Sequence, residues 1–388
     1  MNLRHLGLFA AFFVLAQVGA ANALVTTAAE HAVLMDAESG DVLWAKDADV
    51  ASPPASMSKL MTLEMLFQRL KDGRVKLTDT FPVSERAWRT QGSKSFVELG
   101  ARIPVEDLIR GIIIQSGNDA CMVVAEALGG SMENFAVMMN ARAKVLGLTK
   151  SHFVNPDGLP DPPGQMMSAM DLAKLARHLI RDYPKYYHYF GEREFTWHNI
   201  RQPNRNLVLE RFPGADGLKT GHTDEAGYGV TASAVRNGQR LILVLNGLRY
   251  PGKNSWWAEQ YRGDEAARIF DMSFREFRQF KLFGENAVVG TAKVWHGTKK
   301  EVPMVLGPAL TATMQVESKK GLKVSISYDS PLKAPIAKGQ RVGALTVSAP
   351  DYPARSFALY AGEAVERAGI FARGLEGLSL LLGSKEAQ

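Results

Sequence analysis

The sequence predicts an α/β protein. An antiparallel sheet flanked by helices carries a helical subdomain, and a small β-rich domain and a C-terminal amphipathic helix follow. Three observations predict this. Strand-like runs near residues 31–46 and 229–245 lie on either side of residues 50–190, where apolar residues recur mostly at helical spacing. Residues 285–355 show no long helical period and hold short strand-like runs. The last residues place apolar side chains on one helical stripe. The expected division is 1–23 leader, 24–282 main domain, 285–357 β-rich domain and 362–388 tail.

In the leader, Arg4 and His5 precede an apolar run from Leu6 to Val18, and Ala21-Asn22-Ala23 is a small-x-small cleavage signal. That is a secretory signal peptide. The mature chain is therefore expected to begin near Leu24 and to work outside the cytoplasm.

His31 to Asp36 and Val42 to Lys46 read as a hairpin around Glu38-Ser-Gly-Asp41. Pro53 and Pro54 end an extended approach, and a helix is expected from Ser56 to about Leu70, with Gly73 stopping it. Phe81 to Leu99 reads as irregular, with a loop at Gly92-Ser93-Lys94-Ser95. Pro104 is expected at the first position of a helix whose first turn holds Glu106 and Asp107, where the helix dipole favours acids. That helix is apolar nearly all round and breaks at Ser116-Gly117-Asn118. Another follows from Asp119 to Leu128, Ser131 caps a third, and Ser168 with Asp171 resembles a capping box for a fourth that ends before Pro184. Gly229 to Val235 alternates as a strand, Asn237-Gly238 turns, and Arg240 to Leu245 returns. A helix is expected from about Asp264 to Phe280. In the β-rich domain the strand-like runs include Lys323 to Tyr328 and Val342 to Val347.

The tail stripe is Ala364, Ala368, Phe371, Leu375, Leu378 and Leu382, with Glu366, Arg373 and Glu376 off it. It is too polar to span a bilayer but suits the membrane surface. With 46% hydrophobic and 22% charged residues the chain is globular. Its net charge of +6 suits acidic polymers or anionic lipid. No dense Lys/Arg block interleaves with aromatics, so nucleic acid is not an expected partner. The sole cysteine, Cys121, is expected to pack as a small buried residue. The eight histidines show no ligand spacing, so no metal and no cofactor are expected.

Three short motifs carry the chemistry. Ser56 and Lys59 sit one turn apart on one helical face. A serine hydroxyl becomes a nucleophile when a base takes its proton, and a lysine stripped of water can be that base. Ser116 and Asn118 sit where a buried helix breaks, and Lys219-Thr220-Gly221 sits just before a strand-like region. In order these form the S-x-x-K, S-x-N and K-T-G set of penicillin-recognising acyl enzymes. In such a set Ser116 relays a proton toward the leaving amine, and Asn118 holds Lys59 and the substrate amide in register. Lys219 helps keep Lys59 neutral and attracts a carboxylate, which Thr220 can also bind. The backbone amides of Ser56 and His222 are the candidates for an oxyanion hole.

The motifs in their context, Ala55 to Thr62, Gly111 to Ala120, Asn204-Arg-Asn206 and Asp216 to Gly227, resemble the serine-type D-alanyl-D-alanine carboxypeptidases, the low-molecular-mass penicillin-binding proteins. The resemblance implies a β-lactamase/transpeptidase-like fold. It implies that Ser56 attacks the carbonyl between two D-alanines of a peptidoglycan stem peptide, with Lys59 as base, and that β-lactams acylate the enzyme. It places Arg205 and Arg262 near the site, Arg262 facing the substrate carboxylate, and Ser93 in the bordering loop. It implies a periplasmic enzyme held on the outer face of the inner membrane. The stretch Arg249 to Trp257 looks longer than the usual connection in that family.

A β-lactamase of class A type shares the motifs but uses a glutamate between S-x-N and K-T-G to activate water. None occurs from Phe135 to Gly191, which favours slow release of penicillin. A non-catalytic penicillin-binding or wall-binding sensor is the other alternative, and the intact lysines speak against it. Gly227-Tyr-Gly229 fits a dinucleotide fingerprint only on paper, because it runs into a strand.

Overall fold

The computed structural model describes residues 25–370. The leader at 1–23 and most of the amphipathic tail lie outside the described residues. Their expected membrane roles are taken up below as proposals.

Strands β1 (His31–Asp36) and β2 (Val42–Lys46) form the expected hairpin. A single 3-10 turn, Ala55–Ser58, leads into α1 (Lys59–Lys71). Within the stretch read as irregular, Ser84 caps a short helix, Glu85–Arg89, by accepting the Ala87 amide. Pro104 is not inside the next helix. It ends a short strand, Arg102–Pro104, and stands just before α2 (Val105–Ile113). Then follow α3 (Asn118–Gly129), α4 (Met132–Val145) and α5 (Ala169–Asp182). Ser131 and Ser168 cap the last two as expected, accepting the amides of Asn134 and Asp171. Asp171 does not complete a capping box. Its carboxylate accepts from the Lys150 amide and the Ser151 hydroxyl.

Strands β3 (Ala215–Thr223), β4 (Gly227–Arg236) and β5 (Gln239–Leu248) join the hairpin in one antiparallel sheet of order β2-β1-β5-β4-β3. The last helix of this unit, α6 (Ser255–Glu276), starts nine residues before the sequence expectation and stops before Phe277. Both faces of the sheet are covered, so its central strands bury apolar side chains on both faces. On β1, Val33 and Met35 pack with Leu60, Leu63 and Leu172 of the helical block, whereas Ala32 and Leu34 pack with Ile269, Phe270 and Phe274 of α6. Strand β3 is the sheet edge, and that edge faces the 3-10 turn that holds Ser56.

Phe277 to Phe283 is strand β6, not the end of a helix. It pairs with β9 (Leu310–Gln315), after β7 (Val288–Trp295) and β8 (Glu301–Leu306). β10 (Lys323–Ser327), β11 (Leu332–Lys333), β12 (Arg341–Ala349) and β13 (Tyr352–Ala361) complete a six-stranded sheet of order β10-β12-β13-β8-β7-β11. The β1–β2 turn meets this unit through two buried acids. Asp36 Oδ2 accepts the Thr313 hydroxyl at 2.8 Å, and Asp41 accepts from the Thr313 amide and from Arg355. The first part of the expected tail is not helical. Val365 bridges to Ile336 and Arg367 to Gly297, so the chain stays on the β-rich unit through Arg367.

Candidate active site

Ser56 lies in a strained entry. Ala55 has φ +48, a left-handed conformation that costs a residue with a Cβ about 1–2 kcal/mol. The turn leaves Ser56 partly accessible, while Lys59, at the start of α1, is wholly buried. Lys59 Nζ stands 2.8 Å from Ser56 Oγ and 2.5 Å from the carbonyl oxygen of Asp157. The next turn of α1 is tied to the same loop, because Thr62 Oγ1 donates to the Pro156 carbonyl at 2.6 Å. Gly158 makes this approach possible. A Cβ there would lie 2.1 Å from the Ala55 carbonyl oxygen and 2.4 Å from Ser58 Oγ, and its φ is +82.

The second motif sits in the break between α2 and α3. Ser116 is 2% exposed and has φ +59. Asn118 is fixed from both ends. Its amide donates to the Ser93 carbonyl at 2.8 Å, and its Nδ2 donates to the Gln91 carbonyl at 2.7 Å. Its buried Oδ1 has no partner among the described residues. An acceptor so placed is costly unless something fills it. Asp119 holds the bordering loop by accepting the Ser95 and Val97 amides.

The third motif does not precede a strand. It lies inside β3, and Lys219, Thr220, Gly221 and His222 pair with Thr231, Val230, Gly229 and Tyr228 of β4. A Cβ on Gly221 would lie 2.8 Å from the Pro54 carbonyl oxygen, so the strand passes directly over the Ser56 turn. Lys219 is 1% exposed and donates to the Thr220 carbonyl at 3.0 Å. Arg262, on α6, is 3% exposed and reaches the Gly221 carbonyl at 3.4 Å and the Arg205 carbonyl at 3.3 Å. Arg205 donates to Ser93 Oγ at 2.6 Å. Arg262 therefore stands beside the motif, whatever the length of the Arg249–Trp257 connection. The His222 side chain is exposed and stacks on Tyr228.

Burial first, and then the Arg205 charge, hold the Lys59 amine below its usual range, against the pull of Asp157 and Asp119. The neighbouring Cys121 thiol offers no countercharge, because burial pushes it up to about 12. Lys219 is held well below its usual range by burial and then by Lys59, Arg205 and Arg262. Arg262 itself is pulled to about 10 by burial. Four basic side chains thus gather at one edge of β3 with too little anionic charge to match them. Such a pocket favours a carboxylate ligand and a neutral amine at Lys59.

The sequence reading missed the Asn155–Gly158 loop. Its signal was there, since Asn-Pro-Asp-Gly is a strong turn signature. What the signature could not give was the address, because the Asp157 carbonyl meets Lys59 across 98 residues.

A two-faced antiparallel sheet whose edge strand bears Lys-Thr-Gly over a serine–lysine helix start is the architecture of a penicillin-recognising serine enzyme. The chain belongs to the D-alanyl-D-alanine carboxypeptidase family, whose model matches residues 17–248, and it is a serine-type carboxypeptidase. Residues 277–367 match the model described as the C-terminal domain of penicillin-binding protein 5. The D-alanyl-D-alanine carboxypeptidase DacC of Escherichia coli K12 is 39% identical over 349 residues, 88% of this chain and 85% of that one. Penicillin-binding protein 5 of Haemophilus influenzae superposes with a TM-score of 0.80 at 34% identity, covering 88% of this chain and all of that one. Penicillin-binding protein D2 of Listeria monocytogenes, solved in an ampicillin-bound form, superposes with a TM-score of 0.57 at 26% identity, covering 64% of this chain and 98% of that one.

Proposed function

We propose that this enzyme removes the terminal D-alanine from peptidoglycan stem pentapeptides through an acyl-enzyme on Ser56. The substrate carboxylate enters the cationic pocket and is met by Thr220, Lys219 and Arg262, with Arg205 and Ser93 bordering it. The scissile carbonyl oxygen points at the amides of Ser56 and His222, and Asn118 Oδ1 accepts a substrate amide. The peptide lies along the open edge of β3, beside Gly221.

Neutral Lys59 takes the proton of Ser56 Oγ. The new C–O bond forms as that proton leaves, and negative charge collects on the carbonyl oxygen. The C–N bond then breaks while Ser116 gives its proton to the departing amine and takes in its place the proton held by Lys59, which is neutral again. Water then attacks the acyl carbon and gives a proton to neutral Lys59, the C–O bond to Ser56 breaks, and Lys59 returns that proton to Ser56 Oγ, leaving the shortened peptide as a free acid that ionises. The Asp157 carbonyl occupies one N–H of Lys59 and thereby aims its lone pair at Ser56. β-Lactams acylate the same hydroxyl and are released slowly, in keeping with the lack of a glutamate at 135–191.

The observation that carries this reading is the 2.8 Å Ser56–Lys59 contact beneath the Lys-Thr-Gly strand. Mass spectrometry of a stem pentapeptide after incubation tests it. Loss of one alanine is expected, and an intact peptide would contradict it.

The same reading divides the chain into the leader at 1–23, a catalytic unit at 24–282, the β-rich unit at 285–357 and the tail at 362–388. The pairing of β6 with β9 supports moving the boundary between the middle two to about 277. Secretion by the leader and attachment of the tail to the outer face of the inner membrane are part of the proposal. No described helix is long and apolar enough to cross a membrane.

A further inference from the structure

The bound peptide has to leave the Ser56 cleft, and the register of β3 says where. In the reading above, the His222 amide meets the carbonyl of the fourth residue of the pentapeptide. With the peptide antiparallel to β3, the fifth residue then stands beside Gly221 and the third beside Thr223. Residues directly opposite in such a pair put their side chains on one face of the sheet. A Cβ on Gly221 would lie 2.8 Å from the Pro54 carbonyl oxygen and 3.2 Å from Ala55 Cβ. The face of β3 that holds Gly221 and Thr223 is therefore the one turned toward the Ser56 turn. An L side chain on the third residue falls on that same face.

A cavity of about 50 Å³ lies there, next in the chain to Ser56. It has room for about four waters, or for a slim unbranched side chain. Pro54, Ala55 and Thr223 line it, and loop 158–166 adds Pro160, Pro163 and Gln165 to its wall. The loop is pinned. Gln165 Oε1 accepts the Val154 and Asn155 amides at 2.8 and 3.3 Å, and Met166 exchanges two backbone hydrogen bonds with His152. Gln165 Nε2 is buried with no partner among the described residues, a cost that a peptide carbonyl bound there would remove.

Among the described residues that line this cavity, Glu225 alone is charged. Arg249 donates to the carbonyls of Asp224 and Glu225 at 3.1 and 2.7 Å, but its charge is matched by Glu30 at 2.8 Å. The Glu225 carboxylate has no ion-pair partner among the described residues. The cleft is thus electrically polar. Lys219 and Arg262 stand at the end that takes a carboxylate, and an unmatched acid stands at the other.

We propose that this cavity is the subsite for the side chain of the third stem residue, and that Glu225 binds a free ammonium at the end of that side chain. The inference rests on the carboxypeptidase reading and adds a specificity-determining residue to it. The proline walls cover the alkyl part of the side chain, while its charged head stays at the exposed Glu225. A stem whose side-chain amine has been acylated in a crosslink loses the contact, so the enzyme favours uncrosslinked stems.

The test compares kcat/KM for two peptides ending in D-Ala-D-Ala, one with L-lysine and one with L-norleucine as the preceding residue, in the parent, in Glu225→Gln and in Glu225→Lys. The readout is the lysine-to-norleucine ratio, which cancels any general loss of activity. The ratio is expected to fall about fivefold in Glu225→Gln, near the upper worth of an exposed ion pair, and further in Glu225→Lys. In the parent it is expected to shrink as ionic strength rises. The yield of penicillin adduct shows that each variant is folded. A ratio that is the same in all three proteins, or that ignores salt in the parent, overturns the subsite while the carboxypeptidase reading stands. Failure of the parent to cleave either peptide overturns that reading itself, and the subsite with it.

Discussion

Lys59 Nζ stands 2.8 Å from Ser56 Oγ, and the carbonyl of Asp157, from a loop 98 residues away, holds the same nitrogen at 2.5 Å. The pair is local in the chain, but its orientation is set by tertiary structure. A lysine in a surface helix would turn to water. Here burial removes that option and the loop selects one rotamer.

Replacing Lys59 with Met keeps the bulk of the side chain and removes the base. Acylation by penicillin is expected to slow by about 10²–10⁴-fold, the usual worth of a positioned base. The melting temperature is expected to hold or rise, because a desolvated amine is replaced by an apolar chain. Stopped-flow acylation and a thermal melt check both. Equal acylation rates in variant and parent would remove Lys59 from the chemistry.

The acylation rate should depend on pH with a definite sign. The reactive amine is neutral, and burial, seconded by Arg205, holds its folded pKa below 10.5. The rate is therefore expected to rise with pH through that depressed value and level off below 10.5. Stability follows the same linkage. Between the folded value and the unfolded one near 10.5 the unfolded chain binds the extra proton, so this group makes the fold more stable as pH rises across that window. A rate inflection at or above 10.5 would contradict the assignment.

Gly158→Ala tests the loop. The added carbon meets the Ala55 carbonyl oxygen at 2.1 Å in a left-handed backbone. The loop must retreat, taking the Asp157 carbonyl from Lys59. A loss of about 3 kcal/mol in stability and at least about tenfold in acylation is expected, checked by denaturant melts and adduct formation. Parent-like values for both would show that the loop does not position the base.

Arg262→Gln should separate binding from chemistry. It removes a buried charge beside Gly221 and leaves Ser56 and Lys59 in place. For a pentapeptide, KM is expected to rise at least about tenfold, with a smaller change in kcat. Steady-state kinetics decide this. A fall in kcat at unchanged KM would place Arg262 in the chemical step.

The site was legible in the sequence to the extent that it is local. Ser56 and Lys59 share one turn, and Lys-Thr-Gly is contiguous. The caps at Ser131 and Ser168 were legible for the same reason. The start of α6 was not, because Trp256 and Tyr261 are among its exposed residues and blur the helical apolar stripe. Phe277-Arg-Gln-Phe280 read as the last turn of a helix because its aromatics lie three residues apart. Pairing with β9 overrides that spacing. The Lys-Thr-Gly triplet reads as standing just before a strand and not inside one, since its strand is an edge that only β4 defines.

The most direct test of the central claim is peptide mapping of the covalent adduct formed with labelled penicillin. The account predicts the label on the peptide bearing Ser56, and none in Ser56→Ala. A label on any other residue, or an undiminished adduct in Ser56→Ala, would contradict it.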